Sequence, residues 1–131
     1  MATTTATITL NSADLTTDAL ALSKTATLTK AGTTTGLAQT SGVGRKTTTA
    51  SSAVTLFAAT DYTDDKAHKI YVCNTSSTAT EYATLTVGTQ AVGRLYSGDW
   101  AFIPWDGTAD FKYTPSVATS FTLEYQLFIE E

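Results

Sequence analysis

Few side chains in this sequence could do chemistry. There is one histidine, one cysteine, two tryptophans and three small groups of aspartates. His68 lies between Lys66 and Lys69 with no glycine-framed serine or other nucleophile near it, so a catalytic pair has no second member. A strand-edge or solvent-facing histidine is expected there. Asp61, Asp64 and Asp65 in ATDYTDD have the density of a calcium loop. They lack the central glycine and distal glutamate that such a loop uses to close around the ion, and the expectation is a solvated turn. Asp99, Asp106 and Asp110 are irregularly spaced and two of them adjoin glycine, which is ordinary turn chemistry rather than an acid/base pair. SGVGRKTT holds glycines and a lysine without the spacing of a phosphate-binding loop. No catalytic residue, cofactor site or metal site is expected, and the chain is read as a non-enzyme.

The two tryptophans stand together in GDWAFIPWDGTADFKY, Gly98 to Tyr113. As a strand, this run places Trp100 and Phe102 on one face and Ala101, Ile103 and Trp105 on the other. Apolar groups on both faces imply a strand covered twice, one tryptophan serving the core and the other a partner. Pro104 cannot donate to a ladder, which puts it at an edge or strand end. The rival reading makes one tryptophan a stacking platform for a sugar.

The elements that must carry these residues are strands. Only 15% of the 131 residues are charged, against 42% apolar, and threonine supplies much of the polar remainder. Threonine is stiff at χ1 and favours extended backbone, so it faces solvent from a strand without charge. Alternation is clean in EYATLTVG, where Ala83, Leu85 and Val87 oppose Tyr82, Thr84 and Thr86. In FTLEYQLFIEE, Phe121, Leu123, Tyr125, Leu127 and Ile129 share a face. Phe128 breaks that pattern, marking cover on both faces near the strand's end. Val87-Gly88-Thr89-Gln90 predicts a tight turn and Gly93 a bulge. Asn74 to Thr80, Ser97-Gly98-Asp99, Asp106-Gly107 and Pro115-Ser116 are further turns. The helical candidates, Ser12 to Asp18 and Asp61 to Lys66, are short. The fold class is therefore all-β, a β-sandwich with the jelly roll as its specific candidate.

The N-terminal half, to about Ser52, is rich in Thr, Ala, Ser and Gly and nearly free of aromatics. Residues 1–131 are expected to form one sandwich domain, with 1–12 an extended arm and about 32–52 a flexible connector. Ile8 and Leu10 give the arm strand character but too little apolar surface to dock alone, so it is expected on another subunit. Ile8, Leu10, Trp100, Phe102, Trp105 and Phe128 are the interface candidates.

A net charge of −4 leaves no footprint for nucleic acid. Only Arg45-Lys46 pairs two basic residues. The single cysteine, Cys73, excludes an intrachain disulfide and a cysteine-built zinc site, and within IYVC it reads as a small buried hydrophobe. No apolar run reaches membrane-spanning length. MATTTATITL lacks the basic and apolar regions of a signal peptide, so cytoplasmic synthesis without general secretion is expected.

KIYVCNTSSTATEY, LTVGTQAVGRLYSGDWAFIPWDG and the closing TLEYQLFIEE resemble small virion structural proteins of tailed bacteriophages, above all the capsid decoration or cement proteins of cyanophages and other marine phages. The resemblance covers about Val54 to Glu131 and is one of texture. It implies a non-enzymatic, β-rich homo-oligomer, with a trimer favoured. Such a protein sits on the capsid surface of the virion, bound to the major capsid protein or other virion proteins. A head-fibre, tail or connector component is the first alternative. A carbohydrate-binding or adhesin module using an exposed tryptophan is the second. No nucleic-acid or membrane partner is implied.

Overall fold

The computed structural model describes residues 2–131 and is nearly all β. The chain divides into two compact units, one within Met1–Ala38 and the other Gln39–Glu131, where the sequence suggested one sandwich with an arm.

The first unit is built on an antiparallel ribbon of β1 (Thr5–Ser12) and β2 (Leu20–Thr27), in register from Thr5 opposite Thr27 to Ser12 opposite Leu20. Within the expected arm, 1–12, Thr5–Ser12 is thus a paired strand, and Met1 lies outside the described residues. The even spacing of Leu20, Leu22 and Ala26 supplies a mate within the chain, and pairing satisfies backbone groups that a lone strand would leave open. Ser12 to Asp18 forms no helix and serves as the connecting loop. The Ser12 hydroxyl accepts the N–H groups of Asp14 and Leu15, as a helix cap would, but the chain then returns as β2. After β2, Leu28 and Leu37 are buried and tied by a Leu37 N–H to Leu28 carbonyl bond of 3.0 Å.

The second unit is a sandwich. Its strands are β3 (Gln39–Thr40), β4 (Gly44–Thr48), β5 (Val54–Phe57), β6 (His68–Asn74), β7 (Tyr82–Val87), β8 (Gln90–Tyr96), β9 (Trp100–Trp105), β10 (Phe111–Pro115) and β11 (Phe121–Ile129). One sheet runs β4–β11–β6–β9, with β3 also on β11, and the other runs β5–β10–β7–β8. Antiparallel partners nest outward from the β7–β8 hairpin: β6 with β9, β5 with β10, β4 with β11. Successive pairs alternate between the sheets. One long hairpin rolled up in this way is a jelly roll. The segment expected to be a flexible connector, 32–52, carries β3 and β4. Its Thr/Arg/Lys run pairs with the solvent-facing edge of β11, where polar side chains cost nothing to expose.

Ile70, Val72, Leu85, Phe111, Tyr113, Phe121, Leu123 and Leu127 fill the space between the sheets. The β7–β8 turn puts Gly88 at φ +61, the left-handed conformation that a two-residue hairpin turn with glycine first requires. Leu85 pairs with Gly93 but Thr86 with Ala91, so Val92 is the extra residue of a bulge at the expected place.

Candidate interaction surfaces

The alternation of β9 divides its two tryptophans. Trp105 is 3% exposed. Its ring packs 5.3 Å from Tyr62 and 5.4 Å from His68, and its indole N–H donates to the Ala109 carbonyl at 2.8 Å. Trp100 is 53% exposed on the outer face of the sheet. Phe102 shares that face and its ring lies 6.2 Å from Phe128, across β6. Of the candidates on this strand, Trp105 belongs to the core, while Trp100, Phe102 and Phe128 form an outer aromatic group.

β9 is also an edge, paired only with β6. The Asn74 N–H donates to the Asp99 carbonyl at 3.0 Å, which sets the phase of the ladder. Ala101, Ile103 and Trp105 consequently bond to β6, whereas Trp100, Phe102 and Pro104 turn their backbone groups outward. Pro104, with no N–H to offer, occupies an outward position as expected.

Ile8 and Leu10, 40% and 44% exposed, lie on a second surface. Ala6, Ile8 and Leu10 share one face of the ribbon with Leu20, Leu22 and Ala26, broken by Lys24 opposite Ile8 and by Ser12 at the end. The opposite face is mostly threonine, with Ser23, Asn11 and Ala21 beside it, and the Thr7 and Thr25 hydroxyls are bonded at 2.8 Å. A sheet face of this kind is apolar and uncovered.

His68 overturns its expectation, for it is fully buried. It shares the parity of Ile70 and Val72 on β6, which directs it inward; the flanking lysines take the other face or the loop. Nδ1 accepts the Glu130 N–H at 3.1 Å, leaving Nε2 to donate to the Thr63 carbonyl at 3.1 Å. Glu130, itself buried, accepts the Ala67 N–H at 2.7 Å. Both groups lock the C-terminus and the 61–66 loop in place, and neither faces a nucleophile.

Cys73 is likewise corrected. It alternates with buried Val72 and Asn74, lies on the outer face between Trp100 and Glu124, and is half-buried rather than core. Beside it Tyr71 donates to Glu124 at 3.1 Å. Burial foremost, then Cys73 and Glu124, push the Tyr71 phenol up to about 12.

Asn74, read from sequence as part of a turn, is fully buried. Its amide donates to the carbonyls of Glu81 and Leu95 at 3.2 and 3.0 Å, and its carbonyl accepts the Ser76 N–H at 2.9 Å. It fastens the end of β6 to the facing sheet. The same parity that buries Ile70 was the signal for it.

The aspartates organise turns. Asp99 accepts the Tyr96 N–H at 2.9 Å and Asp110 the Ala59 N–H at 2.8 Å. The Thr108 N–H and hydroxyl bond Asp106 and hold its carboxyl below the usual range. Gly107 follows at φ +82, so close to the Thr63 carbonyl that a Cβ would sit 2.7 Å from it. Among the described residues no three His, Cys, Asp or Glu side chains converge on a metal-sized site. Comparison with protein-family models, curated proteins and solved structures yields no match. The functional argument accordingly rests on the two apolar surfaces.

Proposed function

We propose that this chain is a structural protein of a bacteriophage virion, a capsid decoration or cement protein that binds the shell without catalysis. The observation that carries the reading is the uncovered apolar face of the β1–β2 ribbon, with Ile8, Leu10 and Leu22 exposed along it. A two-stranded ribbon is marginally stable in water by itself, so a partner that covers this face stabilises the ribbon as it binds. Two further features support the reading. Jelly rolls recur as building units of viral capsids, although a fold alone does not assign function. The texture of Val54 to Glu131 resembles phage decoration proteins.

In this reading the ribbon docks on the major capsid protein or another virion protein. The protein sits on the capsid surface and acts as a homo-oligomer, with a trimer favoured. Quantitative mass spectrometry of purified virions tests it. Abundance comparable to the major shell protein is the expected result. A handful of copies per particle would replace the shell with a head fibre, tail or connector, and absence from virions would overturn the proposal. Leu10→Lys places a second charge on the ribbon face and should abolish incorporation while the jelly roll keeps its melting temperature.

Exposed Trp100 favours one reading of another class, a carbohydrate-binding or adhesin module with the indole as platform. Glycan-array binding lost in Trp100→Ala would establish it.

A further inference from the structure

The jelly roll has four sheet edges, and the devices that discourage pairing with another chain are strongest on three. β8 has the Val92 bulge and Arg94, β5 is four residues long, and β4 presents Arg45 and Lys46. Bulges, brevity and charge are how folded proteins blunt an edge. β9, WAFIPW, carries no charge and no bulge; its one blunting device is Pro104, which sits beyond the middle of the strand and leaves the outward N–H groups of Trp100 and Phe102 in place.

We infer that β9 is a self-pairing edge: two copies join β9 to β9 antiparallel about a two-fold axis at Ala101, merging their five-stranded layers into one continuous sheet. The geometry selects this register. The outward N–H groups belong to Trp100 and Phe102. With Ala101 opposite its mate, Trp100 of each copy exchanges both backbone bonds with Phe102 of the other, making four bonds with no donor left over. A two-fold through Phe102 would also make four bonds, but it sets Pro104 opposite Trp100 and so leaves the Trp100 carbonyl of each copy facing a residue with no N–H. The chosen register also stacks Trp100 of one copy beside Phe102 of the other on the outer face, an aromatic cross-strand pair at each end of the contact. The small side chain at Ala101 permits the close approach of a non-bonded pair. A second copy fits better than an unrelated strand because an edge with bonding groups at two alternate residues and an alanine between them is its own complement under a two-fold.

The contact is short, so the dimer is weak and concentration-dependent, with a dissociation constant on the order of 10 μM to 1 mM. It requires neither a capsid nor the ribbon face. A three-fold contact made elsewhere would leave it in place.

Two measurements test it on the full chain. In a Cys73→Ala background, Ala101→Cys brings its thiols together across the axis, where non-bonded antiparallel pairs have Cα atoms about 4.5 Å apart, within disulfide reach. Mild oxidation should give a covalent dimer much faster than Val92→Cys on the β8 edge. Sedimentation equilibrium of the unmodified chain should show a dimer that Phe102→Lys weakens at least about tenfold and Val92→Lys leaves unchanged. Equal cross-linking at both edges, a sedimentation profile without dimer at millimolar concentration, or equal effects of the two lysine substitutions would overturn the inference.

Discussion

Trp105→Ala and Trp100→Ala remove the same side chain from the same strand and should differ sharply in cost. The Trp105 indole is buried between the sheets, in ring contact with Phe57, Tyr62 and His68. Truncating a buried tryptophan to alanine costs about 3–5 kcal/mol, from lost transfer free energy and the cavity left behind. The Ala109 carbonyl also loses its 2.8 Å donor. A domain of this size holds about 5–15 kcal/mol in all. At about 4–8 °C per kcal/mol, the melting temperature should fall by at least about 12 °C. Trp100 is half in water already, and its removal should cost within about 0.5 kcal/mol, as at other surface positions. The assay is thermal unfolding followed by circular dichroism at protein concentrations low enough to keep the chain monomeric, with urea titration as a check. Melting temperatures within about 3 °C of each other would refute the assignment of Trp105 to the core and Trp100 to the surface.

Tyr71 should ionise well above the ordinary tyrosine range, and Tyr71→Phe should delete a step near pH 12 from a spectrophotometric titration. Because its folded pKa is raised, to about 12, above the ordinary value near 10, its neutral form stabilises the fold fully below pH about 10. That contribution is lost as pH rises toward about 12, and alkaline melts of the wild type but not of Tyr71→Phe should show it. Asn74→Ala strands two carbonyls and one N–H at the end of β6, and should cost about 2–4 kcal/mol in urea unfolding. Asn74→Asp keeps the acceptor for Ser76 but not the two donated bonds, so it should not restore stability; full recovery would show those bonds to be dispensable.

The local pattern of the sequence determined the strand faces. Alternation placed Ala83 with Leu85, Phe121 with Leu123 and Trp100 opposite Trp105, because a side chain's face on a strand depends only on its parity. Gly88 and Gly93 marked a turn and a bulge because each is a local backbone demand. His68, Cys73 and Asn74 were misread although the same parity governs them. Residue type, a charged neighbourhood or a turn-like Asn-Thr-Ser, was given more weight than position on β6. Tertiary structure alone decided what pairing and layering decide. Thr5–Ser12 is a strand of a ribbon rather than an arm because Leu20–Thr27 returns alongside it, 15 or so residues on. The Thr/Arg/Lys run at 44–48 becomes a strand because β11 has an open side there. That β9 ends as an uncharged edge with Trp100 outside is likewise non-local. Its neighbours are set by the rolling of the whole hairpin, and no stretch of residues within β9 encodes which of its two sides will find a partner.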